Sequence, residues 1–276
     1  QWKVLEPLFG EYFDVEEEDT YFSILPTATQ YARNSIFAGL MPSEIRKKFP
    51  SKWVEEDEEG SKNNFEEDFL LDQMKRLGIS LKTSYNKITT NAKGKKLVDS
   101  FSDLLQNDFN VIVYNFVDML SHARTDMEVI KELADDDSAY RSITESWFKH
   151  SPLLEIIKKI QESGHNIVLT TDHGMVKVTS PIKVIGDRSV NTNLRYKLGK
   201  NLSYKSKDVF EIKNPDDAFL PKINQNTRYI FAKDDTFIAY PNNYNYYVNF
   251  YKDTFQHGGI SLEEVIIPII RLKAKK

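Results

Sequence analysis

The clearest hydrophobic rhythm in the chain starts at Ser151-Pro152. Leu153, Leu154, Ile156, Ile157 and Ile160 recur at helical spacing, which predicts an amphipathic helix from Pro152 to about Gly164. Ser151 can cap the free amides of its first turn, Pro152 suits the first helical position, and Gly164 suits the exit. The uniformly apolar run Ile167–Thr171 follows and predicts a buried strand that stops at Asp172-His173-Gly174. Helix, short turn and strand together form the repeat of a parallel sheet covered by helices. A second apolar run, Val111–Val117, ends at Asp118 after a helix-patterned stretch, Gly94–Gln106. Residues 43–105 predict a helical insertion anchored by Met74, Leu77, Ile79 and Leu81.

From Arg228 the pattern changes to alternation. Tyr229–Ala232, Thr236–Tyr240 and Tyr246–Tyr251, punctuated by Asp234-Asp235 and Pro241-Asn242-Asn243, predict antiparallel hairpins. The last core element is Val265–Ile270, where Pro268 implies an edge or strand-end position. Residues 1–276 therefore read as a single α/β domain. Its core is a mainly parallel sheet flanked by helices, with the helical insertion at 43–105 and a β-rich C-terminal elaboration.

Composition narrows the function classes. A chain of 276 residues with 40% hydrophobic and 12% aromatic residues can bury a sizeable core. No apolar run reaches the length of a membrane span, and Gln1-Trp2-Lys3 does not open a signal peptide, so a cytoplasmic protein without membrane insertion is expected. The chain has no cysteine. That removes disulfides, thiolate zinc sites and a cysteine nucleophile, and it fits a reducing compartment. A net charge of −4 argues against a general nucleic-acid scaffold. Locally, Lys183, Arg188, Arg195, Lys197, Lys200, Lys205 and Lys207 stand against one acid, Asp187. This stretch reads as a solvated loop or as an electropositive approach for an anionic substrate. Asp14–Asp19 and Glu55–Glu59 read as solvated loops or helix faces.

Three of the five histidines sit in ligand-like settings. His122 follows Asp118 by four residues, so one helical turn would bring both side chains to one face. Asp172 and His173 are adjacent, and neighbours can meet on one ion only where a strand ends and bends, which Gly174 permits. His257 precedes Gly258-Gly259, where the backbone can approach closely. His150 and His165 read as helix-end residues near a negative dipole end. Two carboxylates and three imidazoles exceed what a single zinc takes, which argues for two ions about 3.5–4 Å apart. Their charge leaves a positive pocket suited to a phosphate or sulfate ester. Thr27 and Thr29 precede a helix-like stretch ending near Gly39, and each reads either as a helix cap or as a hydroxyl nucleophile at a helix amino terminus.

Pro26-Thr27-Ala28-Thr29 followed by Gly39-Leu40-Met41-Pro42 resembles the nucleophile motif of the alkaline phosphatase superfamily, clearest in its nucleotide pyrophosphatase/phosphodiesterase branch. Asp118-x-x-x-His122, Asp172-His173-Gly174-Met175 and His257 resemble the remaining metal motifs in chain order. Thr29-Gln30-Tyr31-Ala32-Arg33-Asn34 is similar to the PglZ domain, in particular to the effector domain of PorX-type response regulators. The resemblance implies one Zn2+ held by Asp118, His122 and His257, and a second held by Asp172, His173 and Thr29. Oxygen and imidazole donors suit Mn2+ as well. It also implies Thr29 as nucleophile, with a phosphothreonine intermediate. Arg33 reads either as a contact to a phosphate oxygen or as one half of a structural salt bridge.

The family has a further aspartate at the end of its first core strand. No apolar strand precedes Thr29, so that strand and ligand are expected upstream of Gln1, and Asp14 reads as a solvated residue rather than a substitute. The implied function is a two-zinc phosphodiesterase acting on cyclic or linear oligonucleotides. The tyrosine-rich region suits stacking on bases, though hairpin tyrosines also serve packing. As an output domain it would work with an upstream receiver domain and protein partners of type IX secretion, and could form a homodimer. No receiver domain is read within these residues. The rival expectation is a non-catalytic, zinc-stabilised docking module that binds protein partners. The sulfatase route through formylglycine lacks its cysteine.

Overall fold

In the computed structural model the described residues are 2–55, 58, 61–115, 136–186, 191–239 and 241–276. Helices and strands mix throughout, as expected for an α/β chain. Backbone contacts divide the chain into two units with interleaved segments. The first comprises Gln1–Thr20, Ser80–Thr170 and Pro268–Lys276, and the second Tyr21–Ile79 and Thr171–Ile267.

The first unit is built around the helix that the sequence predicted best. It spans Pro152–Glu162; Ser151 accepts from the Leu154 amide, and Gly164 leaves it at φ 72°. Ile157 packs with Leu8, Phe9, Phe13, Phe148, Ile270 and Leu272, while its neighbour Ile156 packs with Ile88, Leu97, Phe101 and Leu104. Consecutive residues of one helix thus serve two apolar clusters. The strand that follows, Ile167–Thr170, is half-buried: Ile167 and Leu169 face the first cluster, while Val168 is exposed. In its three-stranded sheet it lies at one side, in the order Phe13–Phe22, Ile266–Ala274, Ile167–Thr170. A strand packed on one face alternates, so the expectation of a fully buried strand is corrected.

Strand direction also departs from the prediction. Thr83–Ile88 runs parallel to Phe109–Tyr114, but Ile167–Thr170 is antiparallel to Ile266–Ala274, from Ile269 opposite Thr170 to Leu272 opposite Ile167. Local residue pattern fixes which face is buried and says nothing about direction when the partner lies about a hundred residues away. Residues 43–105 likewise hold more than helix. Pro42–Lys48, Glu66–Arg76, Asn91–Asp99 and Phe101–Leu104 are helical, but Thr83–Ile88 is a strand. Pro268 falls inside Ile266–Ala274, just before its ladder with Ile167–Thr170, and its carbonyl accepts from Thr170 Oγ1.

The acidic run Asp14–Asp19 is a strand and not a loop. Its charges meet cations of the same unit: Glu18 with Lys3 (2.7 Å), Glu17 with Arg271 (3.1 Å), Glu16 with Lys273 (3.5 Å) and Asp14 with Lys275 (3.8 Å). Glu18 and then Glu6 hold the Lys3 ammonium above its ordinary pKa. Such exposed pairs set strand register more than they stabilise it.

The second unit carries the helices Thr29–Ala38, Pro42–Lys48 and Glu66–Arg76, with short sheets. Arg228–Ala232 lies between Tyr196–Gly199 and Val209–Ile212, antiparallel to both. Thr236–Ala239 does not form a hairpin with Arg228–Ala232 but pairs parallel with Ser180–Lys183. Tyr246–Tyr251, predicted as strand, lies within a helix, Tyr244–Tyr251. Tyr244, Val248 and Tyr251 pack together against Val176, Val178, Leu194, Phe237 and Ala239. Their spacing of four and three residues is a helical face, which the alternating tyrosines obscured.

Candidate active site

Thr29 is the first residue of the helix Thr29–Ala38, which ends at Gly39 in the left-handed conformation (φ 56°). The residue before it, Ala28, offers no side-chain cap. The Thr29 hydroxyl instead lies 3.2 Å from His173 Nε2. Nor is Thr27 the cap. Its buried hydroxyl donates to the Gly259 carbonyl (2.8 Å) and accepts from the Gly258 amide (3.0 Å), tying the loop that carries His257 to the start of the helix. The helix-cap reading of the two threonines is therefore set aside.

The tautomers of both histidines follow from their partners. His173 Nδ1 is 2.9 Å from the Gly174 carbonyl, and His257 Nδ1 is 3.0 Å from the Thr27 carbonyl. A carbonyl only accepts, so each Nδ1 is a donor, and the neutral form of each ring has its lone pair on Nε2. The rings stack with centroids 3.9 Å apart and 13° between planes. Asp172 completes the group. Its Oδ2 is buried without a hydrogen-bond partner, 3.8 Å from His173 Nε2 and 4.0 Å from Arg33 Nη1. Arg33 itself is bound to the buried Glu66 through Nε at 2.5 Å, so the salt-bridge half of its expectation holds while its other end stands beside Asp172.

Gly174 earns its place by space and not by φ. A Cβ there would stand 2.0 Å from the Glu263 carbonyl oxygen, and the Gly174 amide donates to the Glu264 carbonyl (2.9 Å). Gly258 does need glycine's freedom, at φ 116°.

Several residues that support this group went unnoticed in the sequence. Glu264 is completely buried and ion-paired to Arg195, itself completely buried, at 2.7 Å. It also accepts from the Gly259 amide (2.8 Å) and the Ser261 amide (3.0 Å), which fixes the loop after His257. The Ser261-x-x-Glu264 spacing of a capping box was the available signal. Asn63 donates to the Thr29 carbonyl (3.0 Å) and to Asn34 Oδ1 (3.0 Å), and nothing in its local sequence marks it.

One expectation about charge is corrected. Arg195 and Lys197 belong to the core, Lys197 donating to the Asn191 carbonyl at 2.6 Å, so they cannot form an electropositive approach. Lys183, Lys200, Lys205 and Lys207 are exposed, and Arg188 lies outside the described residues. Asp14 is paired with Lys275 in the first unit, as its reading as a surface residue implied.

Asp172 Oδ2, His173 Nε2 and Thr29 Oγ1 form an oxygen–nitrogen–oxygen donor set whose carboxylate oxygen lacks a hydrogen bond. A divalent cation of the zinc or manganese type fits that chemistry. Asp118 and His122 lie outside the described residues, which leaves His257 alone of the other expected ligand group. Among the described residues no three Asp, Glu or His side chains cluster as a metal site.

The fold is shared with a solved hydrolase. Phosphonoacetate hydrolase from Sinorhizobium meliloti 1021 in complex with phosphonoformate superimposes with a TM-score of 0.56 over 96% of this chain and 83% of its own, at 12% identity. Its complex with phosphonoacetate gives 0.47 over the same shares, also at 12% identity. At that identity the likeness is one of fold. Residues 1–272 match the model of the BREX system PglZ alkaline phosphatase-like domain, and the chain belongs to that family. No match was found among curated proteins. Among the described residues no helix is long and apolar enough to cross a membrane.

Proposed function

We propose that the chain is a metal-dependent phosphodiesterase in which Thr29 is the nucleophile. The observation that carries this reading is the convergence of the Thr29 hydroxyl, His173 Nε2 and an Asp172 oxygen without a hydrogen bond at the start of one helix. Asp172, His173 and Thr29 would hold one divalent cation, and His257 with Asp118 and His122 a second, in keeping with the metal use typical of alkaline phosphatase-like proteins. When bound, such ions supply positive charge that polarises the phosphoryl group and lowers the pKa of a bound hydroxyl or water.

The chain's own residues do the rest. Thr29 Oγ1 forms the bond to phosphorus as the ester oxygen departs, giving a phosphothreonine that water then cleaves. The amides of the first helical turn face the same end as the Thr29 hydroxyl and favour a phosphate there. Arg33, held by Glu66, presents its Nη1 end towards Asp172, where it can meet a non-bridging oxygen. The resemblance of residues 29–34 to PorX-type effector domains supports oligonucleotides, cyclic or linear, as substrates. The same resemblance supports a role as the output domain of a response regulator in type IX secretion, with a receiver domain and secretion proteins as partners.

Hydrolysis of bis(p-nitrophenyl) phosphate with added Zn2+ or Mn2+ tests this. Thr29→Ala is expected to lower kcat/KM by at least roughly 10³-fold with the fold intact by circular dichroism. Undiminished turnover in the variant would remove Thr29 from the mechanism. A folded, fully metallated wild type inert to diesters, monoesters and oligonucleotides would favour the docking module.

A further inference from the structure

Beside Asp172 the second unit holds an open crevice of about 330 Å³, whose walls include Ile24, Ala32, Ser35, Ile36, Met41 and Asp172. Ala32 and Ile36 follow Thr29 by three and seven residues, so all three lie on one face of the helix Thr29–Ala38. The crevice thus starts one turn from the proposed nucleophile, and from Ala32 to Ile36 it follows the helix for about 6 Å at about 1.5 Å per residue. Ala32 keeps its upper part open, since a longer side chain at that position would fill it.

Its chemistry is selective. The walls are mainly apolar, and the charged side chains lining them, Glu44 and Asp172, are both acids. With Asp172 given to the cation, an anionic group entering here would still meet the Glu44 carboxylate in an apolar setting. The volume lies at the lower end of small-molecule pockets, enough for one ring system and too little for a run of nucleotides.

We propose that this crevice binds an uncharged, planar aromatic or heteroaromatic substituent of the phosphoryl substrate. The proposal deepens the reading of Thr29 and Asp172 as the phosphoryl site and rests on it. For an oligonucleotide, it means that one terminal nucleoside occupies the crevice while further phosphates stay outside. Its apolar walls and Glu44 make it a neutral-ring site, distinct in kind from an extended basic groove.

Titration calorimetry of the zinc-loaded full chain separates the possibilities without requiring turnover. Phenylphosphonate and methylphosphonate carry the same anionic head, and only the phenyl group can fill the crevice. The expected result is roughly ten- to thirtyfold tighter binding of phenylphosphonate, from the apolar area it buries. Ala32→Leu, which fills the crevice, is expected to bring the ratio close to one, and Met41→Trp provides a second filling variant should the first fail to fold. Equal affinities of the two phosphonates for the wild type would overturn the inference while leaving the phosphoryl site intact. A preference that survives in a folded filled variant would overturn it too. Binding of neither phosphonate would instead remove the underlying phosphoryl site, and the inference with it.

Discussion

Asp172 holds the least satisfied atom of the candidate site. A carboxylate oxygen that is buried and unbonded costs on the order of 1–3 kcal/mol, more when it is charged. Arg33 at 4.0 Å offsets part of that cost, but its firm bond is to Glu66. A fold keeps such an oxygen when a ligand completes it. Asp172→Asn is therefore expected to bind zinc at least about tenfold more weakly, while the metal-free protein melts at the same temperature or a few degrees higher. Thermal melts of both proteins with and without zinc check this. A large loss of stability in the metal-free variant, with zinc dependence unchanged, would make Asp172 a structural residue instead. His173 shows how much a single residue's sequence context can hide. The pair Asp172-His173 marked it as a ligand, but its tautomer is fixed by the Gly174 carbonyl, a backbone contact that no side-chain pattern records.

At the level of elements, the His257 loop depends on a brace that comes from elsewhere in the chain. Glu264 accepts from Arg195 Nε and Nη2, from the Gly259 and Ser261 amides, and from Ser261 Oγ. Breaking one half of a buried pair strands the other charge, so Glu264→Gln is expected to cost about 3–5 kcal/mol in denaturant unfolding. Replacing both, Arg195→Met with Glu264→Leu, should recover much of that stability because no charge is left stranded. It should not restore zinc affinity, since Gly259 and Ser261 still lose their acceptor and His257 its fixed loop. Recovery of both together would show that the brace serves stability alone. The same elements show what sequence could and could not tell. Pro152–Glu162 was readable because its cap, apolar face and exit glycine all agree. Arg195 was not, because a buried arginine looks like a surface one until Glu264, sixty-nine residues on, is placed beside it. The strand Phe13–Phe22 was missed because its charges announce solvent, and its cationic partners at 271–275 lie at the far end of the sequence. The helix Tyr244–Tyr251 was missed because tyrosine suits both kinds of element, and only the packing of Tyr244, Val248 and Tyr251 decides between them.

For the molecule as a whole, the described residues of the candidate site all belong to one of its two units. Thr29 and Arg33 come from Tyr21–Ile79, and Asp172, His173 and His257 from Thr171–Ile267. Assembling them closes a long excursion of chain, from Ser80 to Thr170, that folds into the other unit. Ligand binding stabilises what it contacts by RT ln(1 + [L]/Kd), about 2.7 kcal/mol at a hundredfold excess over Kd. If Asp172, His173 and Thr29 hold the cation, that stabilisation enters where those segments open locally. Hydrogen exchange with and without zinc at that excess should then show amides of 29–38 and 171–178 slowing by up to about a hundredfold. The helix Pro152–Glu162, packed in the clusters around Ile156 and Ile157, provides the internal comparison, with a smaller change expected. Slowing of that helix to the same extent would mean that the two units open together and that zinc stabilises their common unfolding equilibrium. Zinc bound in stoichiometric amount with no slowing at 29–38 or 171–178 would place the ion elsewhere, and Thr29 would lose its claim to the metal and to the nucleophile's role with it.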